Sequence, residues 1–364
     1  MSSSRPNVSG TDASAEVVVE SLVADGEVAY SEFVGQQRAA MIYFSLPFRD
    51  MLVALLGCRP VYGVARRGAD IVGIFPLMVA SGAHGDVLNS LPYFGSYGGP
   101  LCDVNDVSAT TALLAWYREQ AGRVAAATVI ENPLLGQMTM PATVQSERIS
   151  VFTSLNPREG REALLQRIDS SARRNVLKAE RSGVVVSTAG ADPDSLEALV
   201  SLHRLSMQLN GGRVKTSEFF QLLPIVFRPD LDYQLYLATI DGETVGALLV
   251  MFHGRVAEYY IPATLPAARP LQPMAALLCY AMIDAAERGC SLWNWGGSGI
   301  GNESLVRFKM KWAGRRSTYR YSTLLNDEAL LDIAADDLLD AYPDFFVRPF
   351  DPPPRDSDGD DSPG

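Results

Sequence analysis

From Trp293 to Gly314 the chain reads Trp-Asn-Trp-Gly-Gly-Ser-Gly-Ile-Gly-Asn-Glu-Ser-Leu-Val-Arg-Phe-Lys-Met-Lys-Trp-Ala-Gly. We expect a short apolar strand over Leu292 to Trp295, then a break that holds four glycines between Gly296 and Gly301. Glycines after a strand let backbone N–H groups approach a ligand closely, because no Cβ stands between them. The stretch therefore predicts a ligand-binding turn. The alternative is a tight turn that precedes an ordinary solvated helix.

The segment after the glycines is both basic and aromatic. It carries Arg307, Phe308, Lys309, Lys311 and Trp312. Cations at this place would meet a negatively charged ligand or a developing oxyanion. Asn302 is suited to be an N-cap and Gly314 a stop, so we predict a helix to about Trp312.

Composition limits the class of protein. The chain has 364 residues, 47% hydrophobic and 20% charged, which predicts a globular protein of two domains or one large one. No apolar run reaches the roughly 18 residues of a membrane span, and the first fifteen residues lack the apolar core of a signal peptide, so we expect a cytoplasmic protein. The four cysteines lie far apart and predict buried thiols, and three histidines make a His-rich metal centre unlikely, so we predict no metal site.

The net charge of −11 disfavours non-specific binding of nucleic acid, and it predicts no DNA partner. Part of this charge lies in the last fourteen residues, which hold five aspartates, one arginine and four prolines. Such a composition predicts a disordered acidic tail. Against this background, clusters of positive charge are informative.

One order of elements occurs twice along the chain. Strands at Tyr62 to Ala65 and Ile71 to Val79 precede a loop, a helix over about Val107 to Ala121 and a strand near residue 130. A hairpin ending with Val245 to Phe252, a strand, a Pro-rich loop, a helix from Pro273 and the Leu292 strand repeat that order. We interpret the pattern as an internal duplication of one α/β unit.

Two further regions are candidate anion sites. A single helix predicted over Arg161 to Arg181 places Arg174 and Lys178 on one face, with Arg173 beside them. The alternative is a solvated basic face. The helix that begins at Pro273 follows Arg269 and Gln272, and its free N–H groups and dipole favour negative charge.

The chain resembles the Fem-type transferases, a branch of the GNAT superfamily. The resemblance is carried by three stretches in order: Tyr93-Phe-Gly-Ser-Tyr-Gly-Gly-Pro-Leu101, Ser171-Ala-Arg-Arg-Asn-Val-Leu-Lys-Ala-Glu-Arg-Ser-Gly-Val184, and Asn294-Trp-Gly-Gly-Ser298 with Val306-Arg-Phe-Lys309. It implies an α/β fold of two tandem GNAT-like (acyl-CoA N-acyltransferase-like) domains that arose by internal duplication. We accordingly expect a disordered N-terminus (1–15), a first domain (16–155, completed by 325–350), a second domain (156–324) and the tail (351–364).

The resemblance also implies roles for residues. It assigns to Lys309 the stabilisation of the transferred carbonyl, beside Phe308, and makes Arg173, Arg174 and Lys178 candidates for binding substrate phosphates. Further substrate-binding candidates are Arg269, Gln272, Gly296, Gly297, Ser298, Tyr97 and Arg307. Tyr97 would line the cleft or pack.

The general base stays open between Glu258 and Asp284, since substrate phosphate or water could equally take the proton. The alternative for Glu258 is a strand residue that faces solvent.

The implied reaction is acyl transfer to an amine. Its leading version is aminoacyl transfer from aminoacyl-tRNA to a cell-wall precursor or a small natural-product acceptor, with no bound cofactor. Acyl-CoA is the other donor, although Arg269-Pro-Leu-Gln-Pro273 stands where ordinary GNAT enzymes carry a glycine-rich pyrophosphate loop. The long charged helical hairpin of some tRNA-dependent members is also missing from the sequence. A non-catalytic module that binds a nucleotide or precursor is the alternative from another class.

Overall fold

The repeated order of elements forms one continuous mixed sheet. The computed structural model describes residues 16–94, 96–136, 138–158 and 160–348, so the predicted disordered segments 1–15 and 351–364 lie outside the described residues. The described strands are β1 Val17–Ser21, β2 Arg59–Arg67, β3 Asp70–Gly82, β4 Gly85–Ser90, β5 Leu101–Cys102, β6 Ala126–Ile130, β7 Val144–Ser154, β8 Val185–Ala189, β9 Tyr233–Ile240, β10 Glu243–His253, β11 Val256–Thr264, β12 Leu292–Ser298 and β13 Arg315–Leu325.

Helices cover the sheet. The described α-helices are α1 Glu27–Gln36, α2 Leu46–Leu56, α3 Val107–Ala121, α4 Arg161–Arg167, α5 Ser170–Arg181, α6 Pro193–Asn210, α7 Ser217–Val226, α8 Pro273–Glu287, α9 Glu303–Met310 and α10 Ala335–Ala341. Within the described ranges, no helix is long and apolar enough to cross a membrane.

The strand order confirms the predicted duplication. Neighbouring strands follow the order β1-β2-β3-β4-β6-β13-β7-β12-β11-β10-β9-β8, and β5 pairs with β3. The parallel pair β4–β6 in one half corresponds to the parallel pair β11–β12 in the other. Strands β3 and β10 are therefore equivalent, as the hairpin spacing in the sequence predicts. The fold consists of two tandem α/β units that share one sheet.

Each unit contributes one strand to the part of the sheet that belongs to the other unit. Strand β7 pairs with β12, and β13 pairs with both β6 and β7. Each half of the sheet is thus completed by a strand from the other half of the chain. The domain limits expected from the sequence stay a prediction. We call the β7–β13 pair the joint between the two units, because it connects the two halves of the sheet.

The largest rings of the second unit are buried beside α8. Trp293 and Trp295 lie on one face of β12 and pack against each other, and Trp295 also packs against Trp312, which follows α9. Burying a large apolar side chain contributes roughly 1.5–3 kcal/mol. This cluster therefore holds β12 and α9 in a fixed relation, and both elements carry candidate site residues. The four cysteines are buried and free, as predicted.

Several predicted elements differ in the structure. The helix predicted over 161–181 is two helices, because Ile168 is extended and the Asp169 side chain caps α5 by accepting a hydrogen bond from the Ser171 N–H. The sequence of 327–341 favours one closing helix, and the structure has two short pieces there, Glu328–Leu331 and α10. Helical patterning dominates residues 15–55 of the sequence, and the structure places β1 at the start of this region. The sequence does not predict strand β7, because its alternation of polar and apolar residues is interrupted by Gln145, Glu147 and Arg148.

Candidate active site

The candidate active site lies where β11 and β12 separate. The two strands pair in parallel only from Val256–Leu292 to Glu258–Asn294. Beyond this point β11 pairs with β10 alone, whereas β12 continues along β7. Backbone and side-chain groups at the opening are therefore released from the parallel ladder.

Glu258 is buried at this opening, so the alternative of a solvent-facing strand residue is wrong. Its side chain is 1% exposed, and Oε2 accepts hydrogen bonds from Asn294 Nδ2 at 2.6 Å and from the Tyr43 hydroxyl at 3.3 Å. Oε1 has no hydrogen-bond partner among the described residues. Burial raises the pKa of Glu258 to about 8, although the two hydrogen bonds oppose that shift. The carboxyl group can therefore exchange a proton near neutral pH.

Asn294 connects Glu258 to the glycine stretch. Its Oδ1 accepts a hydrogen bond from the Gly296 N–H at 2.9 Å, while Nδ2 donates to Glu258. Gly296 has φ +70°, which favours glycine, and the pairing with β7 shifts register between Asn294 and Gly297. The predicted break after Trp295 is thus a bulge inside a strand that continues to Ser298.

Lys309 meets the same glycines from α9. Asn302 caps this helix through its side chain, as predicted, by accepting from the Leu305 N–H. The Lys309 side chain is 2% exposed, and Nζ donates to Gly296 O at 3.0 Å, Gly297 O at 3.4 Å and Ser298 Oγ at 2.9 Å. Burial, together with the nearby charge of Arg148, lowers the pKa of Lys309 to about 7.

The structure thus joins Glu258 and Lys309 in one hydrogen-bonded chain. The chain runs from the Glu258 carboxyl group through the Asn294 amide to the Gly296 N–H, and the Gly296 carbonyl oxygen, which belongs to the next peptide group, accepts a hydrogen bond from the Lys309 amine. Buried networks of this kind hold their members in fixed positions. Because its three donors have protein acceptors, Lys309 reaches a substrate oxygen only by exchanging one of them.

The neighbours of Lys309 in the sequence have other surroundings. Phe308 is half-buried, and its ring packs edge-on against Trp295 with 6.0 Å between centroids. Arg307 is exposed. Phe308 therefore packs against the core and Arg307 is a surface cation, whereas Lys309 is buried.

Tyr97 packs within the joint between the two units. It is fully buried, and its hydroxyl group is 3.0 Å from Ser150 Oγ. Its ring lies between Tyr43 and Tyr319, with centroid distances of 5.9 and 5.0 Å. Tyr319 in turn reaches Gly297, where an added Cβ would lie 2.1 Å from the tyrosine oxygen. Only glycine permits this approach.

Asp284, the other candidate base, already has strong partners. It accepts hydrogen bonds from the Tyr236 hydroxyl and from Arg288 Nε. These bonds hold the Asp284 carboxylate in an ion pair with Arg288, outside the hydrogen-bonded chain that contains Lys309. The geometry therefore favours Glu258 over Asp284.

Arg269 and Gln272 lie together at the start of α8. They line a cavity of about 360 Å³ with Ser206, Tyr259, Pro262, Ala263, Thr264, Pro273 and Met274. Gln272 adopts φ 63° and its amide donates to Arg269 O at 3.1 Å, so no side chain caps the helix N-terminus. Arg269 offers a cation to this cavity, whereas Pro273 has no N–H and the N–H groups of Ala275 and Ala276 donate to Gln272 O, so the anion site stays a prediction.

The basic residues of α5 lie on its outer side. Arg174 and Lys178 are exposed, and Arg173 is half-buried. Arg174 donates to Ser170 Oγ at 3.3 Å, and it lies near Asp169 together with Lys311. None of the three basic residues is a hydrogen-bond partner of Glu258, Asn294 or Lys309 in the described part of the chain.

Two members of the network escape sequence reasoning. Asn294 lies between Trp293 and Trp295 in the quoted motif. Because neighbouring side chains of a strand point to opposite faces, the sequence already indicates that Asn294 lies on the face opposite the tryptophans. Tyr43 is 215 positions away from Glu258, and no local pattern marks it.

Comparisons with known proteins agree with this architecture. Residues 166–310 match the family model of the acetyltransferase (GNAT) domain. The structure is similar to FemX, with a TM-score of 0.67 at 14% identity, over 86% of this chain and 99% of that one. It is also similar to the C-terminal domain (DUF2156) of a putative lysylphosphatidylglycerol synthetase from Agrobacterium fabrum, with a TM-score of 0.53 at 12% identity over 87% and 96% of the two chains. No curated protein matches the sequence.

The comparisons bear on the class of protein. The GNAT match covers α5 to α9, the part that contains Glu258, Asn294 and Lys309. The similarity to FemX extends over both units. The expected GNAT-type fold and the likeness to Fem-type proteins are thus confirmed.

Proposed function

We propose that this acyltransferase of the GNAT fold transfers an aminoacyl group to an amine at the opening between β11 and β12. The observation that carries the proposal is the hydrogen-bonded chain from Glu258 through Asn294 and Gly296 to Lys309. It joins a proton acceptor and a cation at the opening between β11 and β12. The Fem-type motifs support aminoacyl-tRNA as the donor and a cell-wall precursor or small natural product as the acceptor, in the cytoplasm.

Glu258 is assigned the role of general base. The acceptor amine attacks the ester carbonyl, so that a C–N bond forms and the bond to the donor oxygen breaks. The nitrogen loses its proton to the carboxylate, through Oε1, and the departing 3′-oxygen takes up a proton. A pKa of about 8 suits this exchange, because a base works best when its pKa lies near the operating pH.

Lys309 is assigned the stabilisation of the oxyanion. In its charged form it polarises the peptide groups at Gly296 and Gly297, whose carbonyl oxygens it already contacts. The Ser298 hydroxyl group can rotate away and release one N–H for the developing oxyanion. Since the pKa is about 7, roughly half of the molecules carry this charge at pH 7.

The cavity at the start of α8 supports a donor that carries phosphate. Arg269, which lines this cavity, is suited to a phosphate of either a tRNA end or coenzyme A. Acyl-CoA therefore remains the second candidate donor, favoured by the GNAT domain match. Aminoacyl-tRNA is the longer of the two donors. For this donor, the positive surface would be extended by Arg173, Arg174 and Lys178.

The test is incubation with charged tRNA pools and, separately, with acyl-CoAs, followed by mass analysis of products and ligand-dependent thermal shifts. Mass-shifted amine products with charged tRNA support the proposal, and products with acyl-CoA alone support the second donor. Binding without turnover of any donor would leave the non-catalytic module as the correct class. The matched control for Lys309→Met is Lys311→Met, which removes an exposed lysine of the same segment.

A further inference from the structure

A second cavity adjoins the glycine stretch on the side of the joint between the units. Its volume is about 300 Å³, and Gly297 forms part of its wall. Six aromatic rings line it, from Tyr93, Phe94, Tyr319, Tyr321, Phe345 and Phe346. We call it the aromatic cavity. Because Gly297 O also accepts a hydrogen bond from Lys309, the cavity lies next to the candidate catalytic amine.

The charges of the aromatic cavity are predominantly positive. Arg148 and Arg213 line it, and Asp344 is the acid among its lining residues. Arg213 and Asp344 form an ion pair at 3.3 Å. The whole chain has a net charge of −11, whereas the lining of this cavity, with two arginines and one aspartate, has a positive net charge.

A third cation lies behind the wall of the cavity. Lys215 is 7% exposed, and its Nζ is 4.3 Å from the ring centroids of both Tyr93 and Phe94. Phe219 and Tyr260 complete the cage at 4.9 and 4.8 Å. Among the described residues this amine has no hydrogen-bond acceptor. Burial lowers the pKa of Lys215 to about 7, while the charge of Asp344 opposes that shift, so the amine adds to the positive charge beside the cavity only where it keeps its proton.

The dimensions and lining define what the aromatic cavity can hold. A volume of about 300 Å³ lies at the lower end of small-molecule sites, so the cavity accommodates a molecule of amino-acid size rather than a whole sugar nucleotide. Arginine guanidinium groups match a carboxylate in two parallel hydrogen bonds. Six rings provide an apolar surface for a hydrocarbon or aromatic body.

We propose that the aromatic cavity binds the acyl acceptor, a small amine-bearing carboxylate with an apolar or aromatic body. Arg148 and Arg213 hold its carboxylate, the rings pack against its body, and Gly297 marks the wall nearest to the reacting centre. The assignment rests on the proposed function, because the bound amine is the group that receives the acyl chain. It narrows the acceptor from any amine to an amino-acid-like molecule.

The first experiment measures binding in the absence of any donor. The full-length protein is titrated calorimetrically with L-phenylalanine, 3-phenylpropanoate, phenethylamine and inorganic phosphate. We expect the two carboxylates to bind at least about tenfold more tightly than phenethylamine, since the amine lacks the group that pairs with arginine. Tighter binding of phenethylamine or of inorganic phosphate would overturn the carboxylate class.

Variants then assign the binding to the cavity. Arg213→Gln should weaken 3-phenylpropanoate by about 10-fold or more, and Asp344→Asn should strengthen it several-fold by releasing Arg213 from its acid. A gain in affinity cannot come from misfolding. Arg204→Gln, which removes an exposed arginine of α6, is the matched control and should change nothing. Equal affinities in Arg213→Gln, Asp344→Asn and the unchanged protein would overturn the proposal.

The two proposals fail in different ways. Lys309→Met should keep the binding of L-phenylalanine while losing transfer, because Lys309 is outside the cavity lining. If the protein transfers acyl groups to other amines but binds none of these carboxylates, the cavity assignment is wrong and the proposed function stands. If carboxylates bind but no donor yields a product, the aromatic cavity is a carboxylate site, whereas the proposed function and the acceptor role that rests on it are wrong.

Discussion

Lys309 carries the sharpest expectation for a single residue. Replacement by Met keeps the length and the apolar stem but deletes the amine that contacts Gly296, Gly297 and Ser298. If the amine acts mainly on the transition state, the turnover number should fall by about 10²–10³ while substrate binding stays nearly unchanged. The measurement is steady-state kinetics on the donor that yields product, with Lys311→Met as the control. Turnover at the unchanged rate in Lys309→Met would exclude the role.

Glu258 makes stability depend on pH in a defined direction. Its pKa rises from an ordinary 4.5 to about 8 in the folded chain, so between these values the folded protein keeps a proton that the unfolded chain has released. The stabilisation is fully present below pH 4.5 and is lost as pH rises to about 8, by about 1 kcal/mol per pH unit at most. Glu258→Gln lacks this proton exchange.

Denaturant unfolding of the two proteins between pH 5 and 8 tests this expectation. The unfolding free energy of Glu258→Gln relative to the unchanged protein should increase steadily with pH across that window, since other titrating groups cancel in the comparison. A difference that is independent of pH would mean that the Glu258 carboxyl group does not retain its proton in the fold.

At the scale of elements, we expect the basic face of α5 to affect the binding of the donor but not the stability of the fold. Arg174 and Lys178 are exposed, so reversing both to glutamate should leave the unfolding free energy within about 0.5 kcal/mol. If the face binds donor phosphates, the Michaelis constant for the donor should rise, more at low salt, because salt screens exposed charges. Kinetics at two salt concentrations measures the effect.

The control for α5 is a double charge reversal at the C-terminal end of α3. Arg118→Glu in the last turn of α3, together with Arg123→Glu just after that helix, changes the net charge equally on an exposed surface. If this control raises the Michaelis constant as much as the α5 variant does, the effect reports overall charge. If neither variant changes it, the α5 face is only solvated.

At the scale of the whole molecule, the exchange of β7 and β13 couples the two units. Each half of the sheet is completed by a strand from the other half of the chain, so neither half keeps its sheet when the other unfolds. We expect one cooperative unfolding transition. Trp116 is the only tryptophan outside the second unit, so Trp116→Phe restricts tryptophan fluorescence to the second unit. Its transition should coincide with that of circular dichroism, and two separate midpoints would contradict the coupling.

Local patterns were sufficient for much of the fold. Turn residues and alternation predicted the hairpins of β2–β3 and β9–β10, and Pro273 predicted the start of α8. Asn302 predicted the N-cap of α9, but this helix ends at Met310, before the predicted end near Trp312. These features depend on neighbours in sequence, and backbone geometry acts on neighbours directly. Where polar residues interrupt alternation, as in β7, the same logic failed.

The sequence by itself therefore determined the two α/β units, their shared order and the glycine and Lys-bearing segments that carry the candidate site. Tertiary structure alone decided that β7 and β13 exchange sides, that Glu258 is buried, and that Tyr43 reaches it from 215 positions away. The link from Glu258 to Lys309 exists because β11 and β12 separate after three paired positions, the last of which sets Asn294 opposite Glu258. Sheet register and burial are properties of the assembled chain, so no local pattern encodes them.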